Sequence, residues 1–500
     1  MATDNLPGVL YTAAGLRALD QLVIEEFGVS GLTLMRRAAG ACVRAISCKW
    51  PGVRKVTVYC GSGNNAGDGY ILAGMLAERG CEVTVQVVGD PGKLGADGAE
   101  AYRYCQGTRA TLQSFSPAAD AIGFSDLVVD ALLGTGISGT VRPEYGAAIK
   151  AINGQSSPVL AVDIPSGLCA DTGAILGHGV KATLTVTFIG LKCGLFTLEG
   201  PDHVGELIYD DLDVPPAVFD KVSAGVTRLT LADSLRYLPV RPRNAHKNQF
   251  GHVLVVGGDE AMGGAVAMSA EAALRSGAGL VSVATHPVHA AALLSRRPEL
   301  MVKGFTDSAE LLPLLARASV VVLGPGLGRS RWSTAVFRKV LEAVDTGEQQ
   351  MVVDADGLNL LAMSPEKRSN WVLTPHPGEA SNLLQDNRIQ ANRFRSVATL
   401  QSRYGGTVLL KGAGTLVYDG HTLALCPFGN PGMSSAGMGD VLSGVIGGLL
   451  AQGLPAGEAT RLGVLVHALA GDRCAAGAGE RGMAATDLLA PIRSLLNPAA

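Results

Sequence analysis

Aromatic residues make up only 5% of the 500-residue chain and charged residues only 17%. The formal net charge is −3, so the basic field that draws nucleic acid or an anionic membrane surface is missing. The nine cysteines are scattered, odd in number and without a Cys-x-x-Cys pair, which argues against a disulfide framework and against a thiolate zinc site. The longest apolar run, Val441 to Leu454, is broken by glycines and too short to span a bilayer. The opening MATDNLPGVLYTAAGLRALD has neither a basic n-region nor an apolar core. The expectation is a protein without a signal peptide, working in the cytoplasm.

What is abundant is apolar residues, at 47%, and glycine, at 65 positions. That balance suits large cores with tight βα turns packed on Ala-rich helices, and rules out a disordered chain. The length suggests two to four domains.

The most informative stretch is Asn430 to Leu450, NPGMSSAGMGDVLSGVIGGLL. Its Gly437-Met-Gly439-Asp440 turn runs straight into an apolar helix. The free N–H groups and positive dipole end of such a helix form an anion site, and the glycines let amides approach a phosphate closely. Asp440 at that point fits a base for a hydroxyl about to meet a phosphoryl group. A Gly-rich helix entry with Asp440 as a plain N-cap fits equally well.

In the first half, residues 12–48 read as two helices, with Thr12 capping the first. A strand, Val53 to Tyr59, ends in Cys60-Gly-Ser-Gly-Asn-Asn-Ala-Gly-Asp-Gly69, read as a Gly-rich turn before a helix over 70–79 and a strand over 82–88. The spacing of this turn is not Gly-x-Gly-x-x-Gly, so it is weak evidence by itself. Two more apolar strands, 125–130 and 158–163, each finish on an acidic residue and a flexible turn: Gly134-Thr-Gly136-Ile-Ser-Gly139-Thr after Asp130, and Ile-Pro-Ser166-Gly167 after Asp163. In an open parallel sheet those strand ends face one crevice, which would gather Asn65, Asp68, Asp130, Asp163 and Ser166. Each aspartate taken singly also fits a turn or cap.

Asn64-Asn-Ala-Gly-Asp-Gly69, Asp130-Ala-Leu-Leu-Gly-Thr-Gly136 and Ala161-Val-Asp-Ile-Pro-Ser-Gly167 together resemble the NAD(P)H-hydrate epimerase domain, over about residues 10 to 220. The resemblance implies a Rossmann-like three-layer α/β fold. It implies potassium among Asn65, Asp130, Ser166 and backbone carbonyls, an ion suited by hard oxygens of little charge. It also implies that Asn64, Asn65, Ala66, Gly67 and Asp68, with Gly134, Thr135, Gly136, Ile137, Ser138, Gly139 and Thr140, hold the hydrated nucleotide. Asp163 would bind it too and act as the acid/base group. One positioned carboxylate can shuttle the proton that inversion of the hydroxyl-bearing carbon needs.

An acidic, Pro-containing exit at 210–216 and a basic, Pro-bearing loop near 243 place a domain boundary near residue 222, giving 1–222 and 223–500. Beyond it, apolar runs at 253–256, 280–284, 320–323, 351–353, 371–373, 407–410 and 415–418 alternate with helical segments, the rhythm of a largely parallel sheet covered on both faces. With Asn430–Asp440, the segments His246–Gly251, Thr374–Glu379 and Lys411-Gly-Ala-Gly-Thr415 resemble the ribokinase-like ADP/ATP-dependent NAD(P)H-hydrate dehydratases, over about 230 to 495. That implies nucleotide at Lys411, Gly412, Ala413, Gly414, Thr415 and Gly439, and the hydrated ring at Ala265, Gly326, His376 and Asp440. Glu379 would order magnesium through water. ADP is the favoured co-substrate, with ATP the alternative, and NADHX and NADPHX are the implied substrates. A homo-oligomer is implied, a tetramer being one candidate. A vitamin or sugar kinase joined to a non-catalytic binding module is the competing reading, since fold alone does not set function.

Overall fold

The computed structural model describes residues 6–117, 125–344 and 349–498, so the first five residues of the opening stretch lie outside it. The chain forms two compact units, Met1–Val226 and Thr227–Ala500.

The first unit is built on a seven-stranded sheet in the order Thr111–Ser114, Glu82–Val87, Lys55–Cys60, Leu127–Ala131, Val159–Val162, Leu184–Phe188 and Glu206–Asp210. Every pairing is parallel, for example Val58 against Val85 on one side and Val129 on the other. The strands are apolar on both faces because both are covered. Val56, Val58 and Val129 pack with Leu16, Met35, Ala39 and Tyr70 from helices Ala13–Glu25, Gly31–Lys49 and Asn64–Glu78. The alternate residues Tyr59 and Val128 pack with Tyr145, Ile149 and Ile152 of helix Pro143–Asn153. Thr12 caps the first helix by accepting from the Gly15 amide.

One local expectation is corrected. Asn64–Gly69 is not a turn: it forms the first turns of helix Asn64–Glu78, with Gly63 as N-cap. The glycines serve close packing instead. A Cβ on Gly67 would come within 2.7 Å of the Met35 sulfur, and one on Gly69 within 2.9 Å of the Cys60 sulfur. The helix therefore begins directly at the sheet edge and puts Asn65 and Asp68 on its first turns.

In the second unit the strand order is Met301–Gly304, Leu280–Thr285, His252–Val256, Val320–Leu323, Gln350–Val353, Trp371–Leu373, Thr407–Leu410, Thr415–Tyr418 and Leu423–Cys426. Pairing is parallel as far as Thr407–Leu410 and antiparallel in the last two steps. Val253, Val255, Val320 and Val322 pack on helices Gly263–Arg275, Met438–Ala451 and Ala456–Ala478. Their neighbours Leu254, Val256, Val321 and Leu323 point the other way and are also fully buried. This is the three-layer arrangement with the strand carboxyl ends along one edge, where open α/β sheets place their sites.

Candidate functional sites

In the first unit a cleft of about 690 Å³ opens over the strand ends. Asn64, Asn65, Asp68, Gly134, Thr135, Gly136, Ile137, Ser138, Thr140 and Asp163 line it, together with Lys192 and Asp20, which sequence reasoning did not single out. Ala66 and Gly67 are buried within their helix and Gly139 stands outside the lining.

Asp163 follows strand Val159–Val162 with φ +67, a left-handed conformation that strains a residue with a Cβ. Its amide donates to Val186 at 2.8 Å. Its Oδ1 accepts from the Phe188 amide at 3.2 Å and from the Lys192 ammonium. Asp68 lies close enough for the two carboxylates to oppose each other. Burial first, then Asp163, push the Asp68 carboxyl well above the ordinary range. Asp20 stands at the rim with its carboxyl raised to about 6 by burial and by Asp163.

Below the cleft floor, Asp130 is fully buried. Ser166 Oγ donates to its Oδ1 at 2.6 Å and the Ser166 amide to its Oδ2 at 2.7 Å. Asn65 Nδ2 donates to the Leu133 carbonyl at 3.2 Å, while Asn65 Oδ1 is buried with no partner. Burial lifts the Asp130 carboxyl to about 6, against the pull of its Ser166 hydrogen bonds. No cationic side chain pairs with Asp130 among the described residues. An orphaned amide oxygen beside a hydroxyl, a carbonyl and one uncompensated carboxylate fits a monovalent, oxygen-ligated cation.

In the second unit Gly437, with φ +90, caps the Met438–Ala451 helix, so Asp440 is not the N-cap but the third residue of the first turn. Four other groups converge there. Strand Gln350–Val353 ends at the buried Asp354, and the next residue, Ala355, is left-handed at φ +48. Lys411, just past strand Thr407–Leu410, sends its ammonium to Asp354 Oδ1 at 2.9 Å and to Glu379 Oε2 at 3.8 Å. Glu379 and His376 form a capping box on helix Pro377–Leu384: Glu379 Oε2 accepts from the His376 amide at 2.8 Å, and His376 Nδ1 accepts from the Gly378 amide at 3.0 Å. His376 is thus the N-cap of its helix while its side chain stays 55% exposed.

The electrostatics follow from crowding three carboxylates about one ammonium. Burial, then Asp354, raise Asp440 to about 7, with Lys411 opposing. Burial raises Glu379 to about 7, again with Lys411 opposing and Asp354 reinforcing. Burial pulls Lys411 down, but Asp354 and Glu379 outweigh it and hold the ammonium above its ordinary value. The surplus negative charge fits a divalent ion arriving with phosphate. A Cβ on Gly439 would stand 3.3 Å from the Lys411 ammonium and 3.5 Å from Asp354 Oδ2, so glycine keeps that approach open.

Lys411–Thr415 is the turn between two antiparallel strands, with Gly412 at φ +137 and Gly414 at φ +65. The buried Arg393 braces it from behind, donating to the Leu410 and Gly414 carbonyls at 3.3 and 3.1 Å. Thr415 Oγ1 turns inward to the Gly412 carbonyl at 2.9 Å. Gly326, at φ +57, sits where a Cβ would touch Ala265 at 3.0 Å, which places those two residues together. Their loop reaches the acid cluster through the Gly328 amide, which donates to Asp356 Oδ2 at 2.9 Å. Asp354 and Asp356 escaped sequence reasoning as site residues, although Asp-Ala-Asp-Gly after an apolar run was the available signal.

Comparison with known proteins agrees with this division. Residues 253–494 match the NAD(P)H-hydrate dehydratase family, and residues 31–194 match the family described as YjeF-related protein N-terminus. A bifunctional NAD(P)H-hydrate repair enzyme from Coxiella burnetii is 46% identical over 493 residues, covering 98% of this chain and all 100% of the relative. Its counterpart from Escherichia coli is 39% identical over 500 residues, covering 99% and 95%. A ribokinase-like superfamily protein from Enterococcus faecalis is 30% identical, with a TM-score of 0.52 over 55% of this chain and 96% of that one. With two such relatives aligned along nearly its whole length, the chain belongs to the bifunctional NAD(P)H-hydrate repair enzymes.

Proposed function

We propose that residues 1–222 interconvert the R and S hydrates of NADH and NADPH, and that residues 223–500 dehydrate the S hydrate at the expense of ADP, releasing AMP and phosphate. The observation that carries the second activity is Asp440. It is a carboxyl raised to about 7 on the first turn of a helix whose Gly439 lies beside Lys411 and Asp354. Hydroxide is a poor leaving group, so the hydroxyl must first become a phosphate. Asp440 takes the hydroxyl proton as that oxygen attacks the terminal phosphorus of the nucleotide and the bond to AMP breaks. The amides of Met438, Gly439 and Asp440 and the Lys411 ammonium bear the developing charge. The lone pair of the ring nitrogen then expels phosphate to leave an iminium, and loss of a proton from the adjacent ring carbon restores the dihydronicotinamide. Magnesium, when bound with the nucleotide, would supply further charge neutralisation beside Glu379 and Asp354. Lys411–Thr415 and Gly439 hold the nucleotide, and Ala265, Gly326, His376 and Asp440 hold the hydrated ring.

In the first unit Asp163 is the acid/base group that shuttles the proton needed for inversion of the hydroxyl-bearing carbon, between the Asn64–Asp68 and Gly134–Thr140 segments. Asn65, Asp130 and Ser166 would hold potassium, which supplies positive charge to the cleft floor. A pocket that accepts one epimer leaves the other to accumulate, and the epimerase unit recovers it. The enzyme works in the cytoplasm as a homo-oligomer. Purified protein given the R hydrate, ADP and magnesium should regenerate the reduced nicotinamide. Recovery from the S hydrate alone would defeat the epimerase assignment, and recovery from neither, with ADP or ATP, the dehydratase assignment.

A further inference from the structure

The chemistry assigned to Asp163 leaves Lys192 without a role, yet the fold goes to some length to place it. Strand Leu184–Phe188 is followed by Ile189 at φ +61, a left-handed β-branched residue. Such a residue is strained in that conformation. The bend returns the chain so that Lys192 pairs in register with Tyr11, and the side chain, 2% exposed, doubles back beneath the cleft. There its ammonium donates to Thr187 Oγ1 at 2.9 Å, to the Phe188 carbonyl at 3.1 Å and to Asp163 Oδ1. Three donors meet three acceptors, so the ammonium is saturated and cannot swing to a substrate. Asp163, by contrast, keeps a 20% exposed side chain in the cleft lining. Its Oδ1 is held by Lys192, by the Phe188 amide at 3.2 Å and by Thr187 at 3.5 Å, whereas Oδ2 makes no hydrogen bond among the described residues.

Resting on the reading of the first unit as an epimerase, we infer that Lys192 is a positioning residue for that reaction, fixing Asp163 by Oδ1 and directing Oδ2 to the hydrated ring. Two further carboxyls face Asp163: Asp20 from helix Ala13–Glu25 and Asp68 from helix Asn64–Glu78. The buried Cys42 thiol of helix Gly31–Lys49 feels Asp163 as well. Among these three carboxyls, Asp163 is the one in direct contact with the Lys192 ammonium.

The test is Lys192→Met in the full-length protein, with R-hydrate consumption followed across pH by chromatographic separation of the epimers. The expected result is a fall in kcat of about a hundredfold with KM little changed. The acid limb of the pH profile moves upward by about one to three units, as expected when a carboxylate loses an adjacent cation. Dehydration of the S hydrate is unchanged. In the Asp163→Asn background Lys192→Met adds no further loss, because Lys192 acts only through Asp163. Thr187→Val, which removes one anchor of the ammonium, shifts the limb in the same direction by less and is read if Lys192→Met does not fold. An acid limb that stays in place in both variants overturns the inference. If wild type epimerises and Asp163→Asn does not, that failure leaves the epimerase reading standing; if wild type does not epimerise, that reading has itself failed.

Discussion

Asp440→Asn separates the account of the second unit from a purely structural role for that carboxyl, because it should impair activity and strengthen the fold together. A carboxyl raised from 3.8 to about 7 is one the folded state prefers protonated. Above pH 7 the native protein must hold it ionised, which, unscreened, would cost about 4 kcal/mol. Asp440 keeps partial contact with water, so about half of that should be realised. The sign is fixed: a raised folded-state pKa means the cost is absent below about pH 4, grows as pH rises toward about 7 and is constant beyond. Asparagine carries no charge, so the variant should exceed wild type by about 2 kcal/mol at pH 8 and match it at pH 3.5, measured by urea unfolding of the second unit. ADP-dependent dehydration should fall by about 10² to 10⁴, the usual worth of a general base. A variant retaining a tenth of wild-type turnover, or a stability difference that does not change with pH, would refute the reasoning.

In wild type the dehydratase rate should fall about tenfold per pH unit below about 7, where Asp440 and the coupled Glu379 take up protons, as a kcat/KM profile will show. Asp163→Ala should abolish use of the R hydrate and spare the S hydrate, checked by assaying the two epimers separately. Potassium chloride should raise the thermal midpoint of the first unit relative to choline chloride, and Asn65→Leu, which removes the orphaned Oδ1, should erase the increment in calorimetry. Gly439→Val should fold yet raise the KM for ADP by about tenfold, because its side chain would occupy the 3.3 Å approach between the helix turn and the Lys411 ammonium.

Much of the sheet was legible in the sequence because each buried parallel strand reads as a short Val/Leu run, as at Val320–Leu323 and Trp371–Leu373. Met301–Gly304 and Thr111–Ser114 escaped notice because they are edge strands with exposed residues and no such run. The Asn64–Gly69 segment was misread as a turn because glycine there signals close packing on Met35 and Cys60, which only the tertiary structure reveals. Acidic residues at strand ends announced Asp130 and Asp163. Lys192 did not announce itself: 29 residues separate it from Asp163, and only the left-handed bend at Ile189 makes them partners. Asp354 carried the same strand-end signal as Asp130 and Asp163, but its pairing with the ammonium of Lys411, 57 positions away, comes only from the fold.

The central claim is that the phosphate-binding turn before the Met438–Ala451 helix serves to remove an oxygen from a substrate. The most direct measurement is a product balance on purified protein given the S hydrate and ADP with magnesium. The account predicts one AMP and one free phosphate for every reduced nicotinamide regenerated. A stable phosphorylated product, with no recovery of the dihydronicotinamide, would contradict it.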